Sequence, residues 1–371
     1  ISNAAFFVLT IVDGIFVGNG VGTDALGAVN LGMPFVMVVG AFSALLTIGG
    51  VAVAAVRFGR GDDSGANQAF MHSVLAIIIV FAAFTVAGML FAKQLAVLLG
   101  ANETFVKMVS DYIFWYSLFS IPAGLHTCLS SFCRNDGNPK ISTMAALIST
   151  TANIFLDWLF VFPLQKGVAG AAIATGLSQV LAVITLLTHY LGKKGKLRFY
   201  KFKVKFSLYK KIILRGIPEL VSQFAAPITT YSMNRMLIGI SDAHVNAFSV
   251  IGYASSLFAA LMYGLSAGMQ PLFGQSYGAK DEKSLKYYLK SGLMLGVIGG
   301  IAVLALTFFI GKPLCALFGA DVSAVDIVVT ALPKYSLNFV FATASAVIAS
   351  YLFSTKRTQY AIPLNICRSI V

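Results

Sequence analysis

Two aspartates stand inside long apolar stretches of this 371-residue chain: Asp13 in ISNAAFFVLTIVDGIFVG and Asp157 in TANIFLDWLFVFP. A carboxylate at the centre of a membrane helix costs about 2.5–3.5 kcal/mol on insertion scales, so one that is kept there usually faces inward and has a use. Asp13 is five residues before Gly18 and Asp157 six residues before Pro163. At about 1.5 Å per helical residue, both acids fall at similar depth in the outer half of a membrane. Asn153, four residues before Asp157, projects from the same helix face. Thr175 and Tyr112 reach comparable depth from the outer ends of two other stretches. These five groups are expected to form one polar pocket. Removal from water favours the neutral acid, and a second carboxylate nearby favours it further. The Asp13/Asp157 pair is therefore suited to bind and release a coupling ion, a proton, and to titrate as a coupled pair. The structural alternative is that Asp157 hydrogen-bonds neighbouring helices and Asp13 reaches loop water.

Other polar residues in apolar stretches carry weaker signals. Glu219, Gln223, Asn234, Gln270 and Asn338 are candidates for a substrate cleft, with interhelical hydrogen bonding as the alternative. For Glu219 the favourable field of a helix N-terminus is a further alternative. Arg235 fits a snorkelling residue at a span end, and His126 either a proton relay or a packed imidazole. No metal-ligand spacing, nucleophile motif or Cys-x-x-Cys pair occurs around Cys128, Cys133, Cys315 or Cys367. The sequence thus points to no enzyme, metal or cofactor other than the coupling ion.

Lipid must be the solvent for the elements that carry these groups. The chain is 58% hydrophobic and only 11% charged, with a mean hydropathy of +0.83, whereas soluble domains are about 25% charged. A net charge of +13 would suit a nucleic-acid binder, but most of the basic residues sit in short segments between apolar runs. Apolar runs of about 20 residues predict membrane helices. Eleven are expected near 1–18, 25–56, 69–92, 106–132, 141–163, 167–190, 212–239, 245–276, 285–311, 326–353 and 358–371. Pro34, Pro122, Pro227 and Pro271 fall inside these spans and favour kinks. Arg57, Arg60, Arg134, Lys140 and the loop LGKKGKLRFYKFKVKFSLYKK lie at alternate span ends. The excess of Lys and Arg makes these ends cytoplasmic. The long loop is expected to be a solvated linker that touches anionic headgroups.

The halves of the chain match at one offset. Phe58-Gly59 aligns with Tyr277-Gly278, Asp62 with Asp281, Lys93 with Lys312, Gly100-Ala101 with Gly319-Ala320 and Tyr116-Ser117-Leu118 with Tyr335-Ser336-Leu337, all 219 residues apart (281 − 62 = 219). A six-span repeat returns the chain to its starting side, so the copies are parallel and form two lobes around a central cleft. The expected divisions are an N-terminal transmembrane lobe over 1–190, a basic cytoplasmic linker over 191–211 and a C-terminal lobe over 212–371. By this count the chain covers about eleven of twelve spans, as a trimmed fragment would. Position 13 aligns with Ser232 (232 − 13 = 219), which favours coupling through the first lobe only.

VDGIFVG around Asp13, FGRGDD, NIFLDWLF with Asn153 and Asp157, GVAGAAIAT ending at Thr175, and QSYGAKD together resemble the multidrug and toxic compound extrusion (MATE) transporters of bacteria. The resemblance implies an all-α, two-lobed membrane protein in the inner (plasma) membrane, expected as a monomer, that exports organic cations in exchange for protons or sodium ions. It also implies that Asp13, Tyr112, Asn153, Asp157 and Thr175 are the cation-coupling residues. Some relatives use an acid midway along the seventh span; the corresponding stretch here, QFAAPITTYS, has none. A lipid-linked oligosaccharide flippase of the same superfamily is the alternative. It would need a cationic cleft, and the buried acids disfavour that.

Overall fold

The computed structural model describes residues 12–192, 195–278, 280–355 and 360. The described residues are helical almost throughout. A helix over 12–20 (α1) is followed by α2 (Thr23–Gly59), α3 (Asp63–Leu90), α4 (Ala92–Leu98), α5 (Val106–Leu118), α6 (Ser120–Asn135), α7 (Pro139–Val161), α8 (Gly167–Leu191), α9 (Phe206–Ile238), α10 (Asp242–Gly278), α11 (Glu282–Leu317) and α12 (Val322–Ser354). Among the described residues, α2, α3, α7, α8, α11 and α12 are long and apolar enough to cross a membrane. The segment 358–371, expected as a last span, lies outside the described residues except for Tyr360.

The helix ends follow local chemistry. Asp62 caps α3 by accepting from the Gly65 amide at 2.8 Å, and Asp281 caps α11 by accepting from the Ser284 amide at 3.0 Å. Asn138 caps α7 through Ile141 N at 3.4 Å, with Pro139 in the first turn. The span expected as one helix over 106–132 is two helices, with Phe119 (φ −99°, ψ 10°) between them. Pro122, which has no N–H to return to the carbonyl of Leu118, sits in the first turn of the second helix. Pro34 lies inside α2 without ending it. A second break, at Phe91, separates α3 from α4.

Contacts divide the chain into two compact units, one built on 28–238 and the other on 239–371 with 10–27. This grouping differs from the lobes expected from the repeat: α9 belongs by contact with α2–α8, and α1 with α10–α12. In the first unit α7 packs along α8, and α3 and α8 both flank α6. Phe70, Phe81, Phe132, Ile77, Leu129 and Leu186 fill its core. Arg57, Asp62 and Asp63, the α6–α7 turn and the segment after α8 meet at one end of this unit: Lys196 Nζ bonds Asp63 at 3.0 Å, and Asp136 accepts from Lys196 N at 3.0 Å. At the opposite end, Arg235 near the close of α9 packs against Gly100 in the loop after α4. The basic segments of the first unit therefore share one face.

Candidate functional site

α7 carries the acid. Asp157 and Asn153 are fully buried, one helical turn apart. The small residues Ser149 and Ala145 continue the buried face toward the other end of the helix. α8 lies along that face, and its run Gly170-Ala171-Ala172, with Ala174 and Gly176, lets the backbones approach closely. Asn153 Nδ2 donates to Thr175 Oγ1 at 3.4 Å, while Asn153 Oδ1 is buried without a hydrogen-bond partner. Next to Thr175, Gly176 lies against the Phe119 ring at the α5–α6 break. That contact holds the two-part fourth span on α8. Tyr112, on α5, is buried and stacks on Tyr116 with ring centroids 6.2 Å apart. Its ring occupies the space a side chain would need at Gly32 of α2.

Of the five expected coupling residues, the structure joins Asn153 to Thr175 and sets Asp157 on the same face of α7. It buries Tyr112 in the same unit. Asp13 is half-buried on α1, with Oδ1 buried and unpartnered, and groups by contact with the second unit. Beside it, Gly14 lies against the Tyr253 ring of α10.

The weaker candidates separate. Glu219 accepts from Gln223 Nε2 at 3.0 Å, one turn along α9, with Gln223 exposed. Asn234 is fully buried and clasps Asn30 of α2: it accepts from Asn30 Nδ2 at 3.0 Å and donates to the Asn30 carbonyl at 3.1 Å. The interhelical role is thus the one visible for Asn234. Asn338 is half-buried on α12, and the side chain of Gln270 lies outside the described residues.

His126, on α6, bonds Gln179 Oε1 through Nδ1. Gln179 is one turn along α8 from Thr175, so a row of polar side chains runs Asp157, Asn153, Thr175, Gln179, His126. Sequence reading missed Gln179 and Asn30. Each is a single amide in an apolar run, and the only available signal was its four-residue spacing from another polar residue or its match in depth to Asn234.

The comparisons with known proteins agree with this architecture. A family model described as MatE matches residues 1–159 and 218–371. The chain belongs to the MatE family. It is therefore a multi-pass membrane transporter and not an enzyme. A FAD transporter of Shewanella oneidensis is 25% identical over 387 residues, covering 98% of this chain and 81% of that protein. The multidrug export protein MepA of Staphylococcus aureus is 24% identical over 353 residues, covering 90% and 77%. Among solved structures, a multidrug resistance MATE family transporter in an inward-facing conformation superposes with a TM-score of 0.89 at 22% identity, covering 98% of this chain and 84% of that one. The MATE multidrug transporter DinF-BH, solved in complex with a ligand, superposes at 0.79 with 26% identity, covering 100% and 84%.

Proposed function

We propose that this MatE protein is a cation-coupled antiporter that exports organic cations by alternating access, with Asp157 as the central coupling group. One observation carries the reading: a fully buried carboxylate shares a helix face with Asn153, whose Oδ1 is an orphan acceptor and whose Nδ2 is bonded to Thr175. Buried polar atoms are nearly always satisfied, and those that are not mark strain, chemistry or a bound species. An acceptor without a donor beside a carboxylate suits an arriving proton or sodium ion.

The chemistry follows from charge. When ionised, Asp157 needs donors, and the Asn153–Thr175 bond sets polar groups one helical turn away on the same unit. When neutralised by a cation, it can be enclosed by an apolar bundle at far lower cost. Loading and unloading therefore change the relative free energy of two arrangements of the bundle, and cargo binding biases the same equilibrium in the opposite direction. Asp13, on α1 in the other unit, is a separate candidate coupling carboxylate. Multidrug export by MepA, and the multidrug transporter DinF-BH solved with a ligand, support a small organic molecule as cargo.

The FAD transporter relative, matched over 98% of this chain, supports a second reading in which the cargo is a large anion. Reconstitution in liposomes separates the two, with ethidium and FAD as cargo and with pH and sodium gradients imposed separately. The expected result is ethidium movement driven by one cation gradient and abolished in Asp157→Asn, with the variant folded. Full export by Asp157→Asn removes the coupling role. FAD movement in place of ethidium establishes the second reading.

A further inference from the structure

The basic segment between α8 and α9 is not a free tether. Its main chain is pinned to the first unit by side-chain acceptors from three places. Asp136, whose side chain is buried at the end of α6, accepts from Lys196 N at 3.0 Å, from Leu197 N at 3.1 Å and from His189 Nε2 at 2.9 Å. Asn138 fixes that histidine: its Oδ1 faces Ile141 N, so its Nδ2 donates to His189 Nδ1 at 3.3 Å. Asn67 of α3 accepts from Arg198 N at 2.9 Å. His72, one turn along α3 from Gln68, bonds the Gln68 carbonyl through Nδ1 at 2.7 Å, which leaves Nε2 to accept from Lys205 N at 2.9 Å. Apolar contacts reinforce the pins. Leu197 is fully buried in the core cluster, Phe199 packs on Phe70 and Tyr190, and Phe202 on His72.

The side chains left outside have a definite character. Arg198, Lys201 and Lys203 are exposed, and interleaved with them are Tyr200, Val204 and Phe206, the last 84% exposed. An aqueous linker has no reason to display a phenylalanine so openly between lysines. Aromatic and basic residues alternate in this way where a chain meets the headgroup layer, with rings entering the interface and ammonium groups meeting phosphate. The segment also lies at the end of the unit where α3, α6 and α8 leave the membrane, the end that the sequence makes cytoplasmic.

We propose that residues 195–206 form a preorganised strap that binds the phosphate headgroups of anionic phospholipids. Pinning the main chain matters because a fixed array of cations does not lose loop entropy when lipid binds. The strap is independent of the coupling chemistry: none of its residues lies in the polar row around Asp157.

The test uses the purified full chain in a neutral detergent, with the unfolding midpoint as readout. Dioctanoyl-phosphatidylglycerol is titrated against dioctanoyl-phosphatidylcholine and against inorganic phosphate. Phosphatidylglycerol should raise the midpoint, and neither phosphatidylcholine nor phosphate should match it. The triple variant Arg198→Gln/Lys201→Gln/Lys203→Gln alters no pinning side chain, so it should keep its lipid-free midpoint. Its apparent affinity for phosphatidylglycerol should fall roughly a hundred-fold, at about 1 kcal/mol per basic residue. A second variant, Asn67→Ala, keeps every charge but loosens the strap, and should weaken the response by a smaller factor. Equal responses to the two lipids overturn the proposal. So does a triple variant with an undiminished response, and an equal shift from phosphate alone would mean a free-phosphate site instead.

Discussion

Asn153 donates through Nδ2 to the hydroxyl of Thr175 at 3.4 Å, and its Oδ1, buried, receives nothing. The bond joins the acid-bearing helix to α8 one turn from Asp157, so the donor that the proposed carboxylate site would use is already oriented.

Thr175→Val removes the acceptor while keeping the shape. It leaves the Asn153 amide buried and unsatisfied, and a loss of roughly 1–3 kcal/mol in stability is expected. pH-driven ethidium export in liposomes should fall with it, while Thr175→Ser restores both. If the valine variant matched the parent in midpoint and in export, the bond would be irrelevant to coupling.

The crossing of α2 and α9 is made by glycines. A Cβ at Gly49 would stand 2.0 Å from the Ile212 carbonyl oxygen, and one at Gly216 would stand 2.0 Å from the Leu45 carbonyl oxygen. Backbone rather than a flexible side chain is in the way, so Gly216→Val must separate the helices. A loss at or above the roughly 1–3 kcal/mol typical of overpacking is expected. Gly40, also in α2, has nothing within 4 Å of its Cβ direction. Gly40→Ala should therefore gain about 0.5–1 kcal/mol of helix stability. Thermal unfolding of the two variants in one detergent checks the contrast.

The two repeat copies differ at one turn. Gly61 has φ +74° and its partner Lys280 has φ +55°, with 280 − 61 = 219. The left-handed region costs an L residue about 1–2 kcal/mol, and glycine nothing comparable. Gly61→Ala should therefore destabilise. Lys280→Gly should be neutral or stabilising, since relief of strain offsets the added freedom of the unfolded chain. A Lys280→Gly midpoint well below the parent would show that the lysine side chain holds the turn.

These turns also show how far the sequence could be read. The offset of 219 found in the residues recurs in the structure as matching caps at Asp62 and Asp281 and matching positive φ at Gly100 and Gly319. Loop glycines and capping acids are local signals, and they carry the element ends. The α5–α6 break was only half legible. Pro122 marked it, but Pro34, read in the same way, sits within a continuous α2. Whether proline ends a helix depends on what neighbouring helices supply, and that is tertiary. Asp157, Asn153 and Thr175 stood out because each is polar in an apolar run. The strap did not: Asp136 follows α6 and Asn67 and His72 lie in the first turns of α3, and their partners lie 60, 131 and 133 positions away, with no periodicity linking them.

Asp281 gives a pH dependence outside the membrane. The hydroxyl and the backbone amide of Ser284, at 2.7 and 3.0 Å, hold its carboxyl below the usual carboxylate range. A group whose value is depressed by folding contributes its stability above its ordinary value, and that contribution is lost as pH falls through the folded value. The α11 cap should therefore weaken on acidification below the ordinary carboxylate value. Asp281→Asn still offers an oxygen to the Ser284 amide but cannot titrate. Its unfolding midpoint should lie slightly below that of the parent at neutral pH, and the gap should close as pH falls through the acid range. A gap that stays constant across that range would show that Asp281 acts through shape alone, with its charge contributing nothing to the cap.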